Sequence, residues 1–165
     1  MATIVLLKHG AIQRDQAGSP TGHLAPGSCI ETIRMAEAAL GAIPEELRAP
    51  RPDILSAKEK EAAVTAALIA GMFHVVWAVR PALGETIDRA ELRAFAVQCL
   101  SAKHPIIAVS HEATIAAFID ELIALNGPYR DRRNGALARY QGLVIDTNRR
   151  SIGIIEAPPF IACDP

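Results

Sequence analysis

Thr3-Ile4-Val5-Leu6-Leu7-Lys8-His9-Gly10 reads as a strand that runs straight into a histidine and a glycine. A continuous apolar run of this length, closed by a glycine, fits a strand buried on both faces, as in a parallel sheet. Pro105-Ile106-Ile107-Ala108-Val109-Ser110 has the same form and also ends on a histidine, His111. The residues after it, Glu112 to Leu125, have helical spacing and are stopped by Asn126-Gly127-Pro128. Ligand sites in parallel sheets lie at the carboxyl ends of strands. Both histidines stand at such ends on this reading, so His9 and His111 are the first candidate site residues.

The rest of the chain repeats the alternation. Residues 11–27 read as a loop. Ser28 with Glu31, and Ser56 with Glu59, have the spacing of a capping box. They predict helices to about Leu40 and Ala70. Asp53-Ile54-Leu55 and His74 to Val79 read as strands, and Thr86 opens a helix to about Leu100. Leu137 to Asp146 and Ser151 to Glu156 read as a closing strand pair turning at Thr147-Asn148. Strand–helix alternation predicts an α/β fold, a three-layer α/β/α sandwich over residues 1–165 as a single domain. The sheet is expected to be mainly parallel, with an antiparallel edge strand from the late hairpin.

Composition narrows the function classes. Half of the 165 residues are hydrophobic and 4% are aromatic, so an aliphatic core is expected. The formal net charge of −1 gives no global reason to expect nucleic acid or an anionic membrane as partner. Ala62 to Val79 carries no formal charge, but Gly71 divides it into a helical part and a β-rich part, so no membrane span is expected. Cys29, Cys99 and Cys163 are odd in number and form no CxxC pair, which favours a reduced, cytoplasmic setting over a disulfide framework or a cysteine-based metal site. Met1-Ala2-Thr3 lacks the basic start of a signal peptide. No histidine–carboxylate spacing suggests a metal, and no glycine-rich loop suggests a nucleotide, so no cofactor is expected. The Ala-rich, weakly charged segments permit a homodimer.

Five segments in order resemble the histidine phosphatase (phosphoglycerate mutase-like) superfamily, in its compact phosphohistidine phosphatase form. Ile4 to Gly10 resembles the opening strand and Arg-His-Gly motif, with Lys8 in place of arginine. Pro52 to Ser56 with Thr65-Ala66 resembles the central strand-to-helix segment. Gly84-Glu85-Thr86 with Arg93 resembles the Gly-Glu-Ser segment, Val109-Ser110-His111 the second histidine motif, and Asn134-Gly135-Ala136 the asparagine before the last strands.

The resemblance implies that His9 attacks phosphorus, that His111 is the second imidazole, and that Lys8 and Asn134 meet the phosphate. It implies a phosphorylated small molecule or a phosphoprotein carrying phosphohistidine as substrate. Two departures stand out. Glu61 occupies the position of the family's second arginine, and a carboxylate there repels a phosphate dianion. Arg14 or the Arg130–Arg133 run is then the candidate replacement cation. Second, no Asp or Glu lies between Glu61 and Glu85, where many members carry the acid that protonates the leaving group. Two outcomes are therefore expected: a phosphohydrolase working through a phosphohistidine, or an inactive or repurposed relative that has given up phosphate.

Overall fold

A computed structural model describes residues 3–45, 51–131 and 141–156. It is a mixed α/β structure around a seven-stranded sheet. In chain order its elements are strands β1 (Thr3–Lys8), β2 (Ile12–Arg14) and β3 (Pro20–Leu24), helix α1 (Pro26–Ala42), β4 (Asp53–Ser56), α2 (Lys60–Phe73), β5 (Trp77–Val79), α3 (Arg89–Ser101), β6 (Ile106–Ser110), α4 (Glu112–Asn126), β7 (Arg130–Asp131), β8 (Gln141–Asp146) and β9 (Ser151–Glu156). The sheet order is β5-β4-β6-β1-β8-β9-β7, and β2 pairs with β3 in a separate antiparallel ribbon.

The strands β5, β4, β6 and β1 run parallel. β8 is antiparallel to both β1 and β9, and β7 runs parallel to β9. The expected antiparallel strand is therefore internal rather than at an edge: β8 lies between β1 and β9, and the short β7 closes that margin. Helices α1 and α2 pack together on one face, and α3 and α4 on the other. The fully buried strand residues explain the continuous apolar runs. Ile4 to Leu7 and Ile106 to Val109 are all buried, because helices cover both faces of β1 and β6. Burying each such Ile or Leu contributes about 1.5–3 kcal/mol. With few aromatic rings available, Phe95 of α3 and Phe118 of α4 meet at 5.4 Å between ring centroids and join the two helices.

Several local expectations are corrected. Neither capping box forms. α1 starts at Pro26, its cap Ala25 making no side-chain bond, and Ser28 is buried inside the first turn. Ser56 remains in β4, and α2 is capped by Glu59 without a side-chain cap bond. Asp88, not Thr86, caps α3, accepting from the N–H groups of Ala90 and Glu91. The strand expected from His74 begins only at Trp77. His74 ends α2 in the left-handed conformation (φ 52°). The 11–27 loop contains the β2–β3 ribbon. No described helix is long and apolar enough to cross a membrane.

Register is what positions the candidate site. Lys8 of β1 pairs with Ser110 of β6. The next residues on each strand, His9 and His111, therefore leave the sheet side by side. On the other side of β6, Ser56 of β4 pairs with Val109. The turn from β4 into α2, which carries Glu59, emerges at the same edge.

Candidate active site

The His9 turn is fixed through its neighbours. The His9 N–H donates to the Ser110 carbonyl at 3.2 Å. The Gly10 N–H donates to Thr65 Oγ1 of α2 (3.0 Å), and that hydroxyl in turn donates to the Glu61 carbonyl (2.7 Å). The Ala11 N–H donates to Ser28 Oγ of α1 (3.0 Å). Both hydroxyls are buried, so each bond also removes the cost of an unpaired polar group, about 1–3 kcal/mol.

The imidazole of His9 is held as well. Its Nδ1 lies 3.0 Å from the Gly10 carbonyl oxygen. A carbonyl only accepts, so Nδ1 carries a proton, and in the neutral ring the lone pair is on Nε2. The ring of His111 stands 4.8 Å away, centroid to centroid, tilted by 60°.

His111 is not alone. Its Nε2 lies 3.3 Å from Glu59 Oε2, and both side chains are mostly buried, 14% and 20% exposed. The other oxygen of Glu59 accepts from the Glu85 N–H at 3.3 Å. Burial pushes the Glu59 carboxyl up, but its own backbone N–H, that of Glu85, and His111 outweigh the burial and hold it below its ordinary value. Glu59 is therefore ionised at neutral pH, and the His111 nitrogen facing it carries a proton.

The segment before Glu85 is fastened by two buried hydroxyls. Ser110 Oγ donates to the Leu83 carbonyl (2.6 Å) and Thr114 Oγ1 to the Gly84 carbonyl (2.7 Å). Arg93, two turns on, pairs with Glu121 of α4 at 3.2 Å.

The two cations proposed from sequence are both engaged. Lys8 Nζ donates to Glu112 Oε2 at 2.9 Å, and Arg14 Nη2 lies 3.7 Å from Glu61 Oε1. The side chains of Lys8 and Glu112 are 30% and 42% exposed. A pair so accessible contributes about 0–1 kcal/mol, so a stronger anion can compete for the lysine. Asn134 and the Arg132-Arg133 part of the basic run lie outside the described residues. Arg130 is in β7 at the sheet margin.

The structure thus brings His9, His111 and Lys8 to one edge, and ties Arg14 to Glu61 on the first turn of α2. Sequence reasoning missed Glu59, which it assigned to a cap. Its one available signal was its place beside Glu61 at the start of the helix that follows β4. Among the described residues, no group of three His, Cys, Asp or Glu side chains is arranged to hold a metal ion.

No protein-family model matches the sequence, and no curated protein sequence matches it. Solved structures do match. Mycobacterial glucosyl-3-phosphoglycerate phosphatase in complex with inorganic phosphate superposes with a TM-score of 0.61 at 15% identity, covering 94% of this chain and 97% of that one. The protein histidine phosphatase SixA complexed with tungstate gives 0.60 at 12% identity, covering 92% and 93%. SixA from Agrobacterium tumefaciens gives 0.56 at 21% identity, covering 87% and 90%. The chain has the histidine phosphatase (phosphoglycerate mutase-like) fold.

Proposed function

We propose that this chain, with its histidine phosphatase fold, is a phosphohydrolase that works through a phosphohistidine at His9. The observation that carries the reading is the bond from His9 Nδ1–H to the Gly10 carbonyl. It orients Nε2 as the nucleophilic nitrogen of the neutral ring, beside a second imidazole at the carboxyl edge of β1 and β6. The fold's neighbours include phosphatases, which supports the reaction class. The substrate is a phosphorylated small molecule or phosphohistidine.

Phosphoryl transfer is mainly a matter of positioning and of neutralising the equatorial oxygens. Lys8 supplies that charge once a phosphoryl group displaces Glu112, a weak and accessible partner. Arg14 serves likewise if it leaves Glu61. The reaction needs no metal or cofactor, and we place it in a single domain in a reducing, cytoplasmic setting.

One observation favours a second reading. Glu112, Glu61 and Glu59 hold Lys8, Arg14 and His111 respectively, so three carboxylates surround groups that would otherwise bind an anion. On that reading the fold is inactive or repurposed and no longer takes phosphate.

The test is turnover of an aryl phosphate with an acidic phenol by the wild type and by His9→Ala, with and without Glu61→Arg. Turnover by the wild type that falls by at least ~10³-fold in His9→Ala supports the nucleophile. Activity that appears only with arginine at position 61 favours the second reading and sinks the first.

A further inference from the structure

We infer that Glu59 and His111 together supply the proton to the leaving group, with Glu59 as the positioning residue and His111 as the donor. The inference rests on the phosphohydrolase reading and deepens it. The sequence offers no separate acid between Glu61 and Glu85, yet a leaving alkoxide or amide must be protonated as it departs.

Four observations converge on this pair. Glu59 Oε2 stands 3.3 Å from His111 Nε2 in a part-buried setting, close enough for the carboxylate to face the charge of an imidazolium. The carboxylate is fixed from its other side by the Glu85 N–H. Gly84 makes room for it: a Cβ there would sit 3.3 Å from Glu59 Oε1 and 3.2 Å from the Pro81 carbonyl. Gly84 has φ −66°, which any residue adopts, so space rather than backbone freedom is what the glycine provides. Finally, His111 occupies the N-cap of α4 but makes no side-chain cap bond. Its Nδ1 is thus not spent on capping the helix.

Glu59 is held in its ionised form by N–H donors, so it is not itself the acid. It fixes the tautomer and orientation of His111 and balances the imidazolium charge. In the first step the Nε2 lone pair of His9 forms a bond to phosphorus. The bond from phosphorus to the leaving oxygen or nitrogen breaks, and its electron pair takes the proton from His111 Nδ1. His111 is left neutral, with Nε2–H still on Glu59. In the second step water attacks phosphorus and gives a proton to His111 Nδ1. The P–N bond breaks, its pair returns to His9, and phosphate leaves with the imidazolium restored.

A series of phosphate monoesters from acidic aryl to alkyl leaving groups tests the pair, with wild type, Glu59→Gln and Glu59→Asp. In kcat/KM, which reports only as far as the first phosphoryl transfer, Glu59→Gln is expected to lose about a hundredfold more on the alkyl ester than on the most activated ester. Glu59→Asp should recover part of that loss. Nitrogen NMR of the imidazoles gives a readout independent of turnover. The His111 Nε2 resonance should move in Glu59→Gln while that of His9 Nδ1 stays in place, and matching circular dichroism confirms the fold. An equal loss along the whole series, or an unmoved His111 resonance, overturns the proton-donor role while leaving the His9 reaction standing. Wild-type inactivity on every ester, the activated one included, overturns the phosphohydrolase reading and this role with it.

Discussion

The carboxyl edge of β1 and β6 and the flank of the sheet beside β5 belong to the same layer but gather different things. At the edge, Lys8 bonds to Glu112, His111 to Glu59, and the His9 ring stands beside that of His111, while Arg14 pairs with Glu61. The space behind the β1 end, between Leu7, Lys8, Gly10, Thr32, Met35 and Thr65, is nearly filled, at about 10 Å³. Beside β5, a cavity of about 300 Å³ opens between the sheet and α3, lined by Leu55, Ala78, Arg80, Phe95, Gln98 and Cys99. It holds neither histidine. Its thiol is inert, since burial pushes Cys99 up to about 12 despite the nearby Arg80 charge. Converging polar groups on paired strand ends, rather than the larger cavity, mark the place where this fold is equipped for chemistry.

Damage at the β5 flank should leave the edge untouched. Phe95 is 4% exposed and packs on Phe118. Phe95→Ala should cost about 3–5 kcal/mol in urea unfolding, and Phe95→Leu less, while KM for an activated phosphate ester stays unchanged in folded protein. A changed KM in the folded Phe95→Leu protein would join the two regions functionally.

A smaller effect is expected from freeing Lys8. Glu112→Gln removes the carboxylate that holds it. The pair's worth of about 0.2–1 kcal/mol translates into a KM lower by about 1.4- to fivefold, with kcat little changed. A raised KM would mean that Glu112 contacts the substrate itself.

The smallest effect concerns acid stability. The folded Glu59 carboxyl titrates below its ordinary value of 4.5, so it adds stability that is fully present above 4.5. That contribution is lost as pH falls from there through the lowered folded value. Glu59→Gln should therefore flatten this part of the melting-temperature profile, and His111→Asn should flatten it partly. A profile identical to wild type below pH 4.5 would show that Glu59 is not held by the edge groups.

Particular residues show how far the sequence could be read. β1, β6 and β9 were legible because a strand covered on both faces, or paired in a late hairpin, needs apolar residues over its own length, and that pattern is local. His9 and His111 were legible for the same reason, since each closes such a run. The helix starts were misread because Ser56 and Glu59 have cap spacing in sequence, yet β4 extends through Ser56 and keeps it in the sheet. Its hydroxyl is buried without a hydrogen-bond partner among the described residues. Gly142 was equally silent. A Cβ there would collide with Leu7 and crowd Met35, a demand set by β8 lying against β1 under α1.

Residue type and local spacing were enough for the α/β alternation, the two strand-end histidines and the absence of an arginine at position 61. These depend on residue type and on spacing within one element. Only the tertiary structure decided what each group meets. His111 and Glu59 are 52 positions apart, and Lys8 and Glu112 are 104 apart. They meet because β1 and β4 flank β6 in register, and a strand order is set by burial of the whole sheet rather than by any local signal.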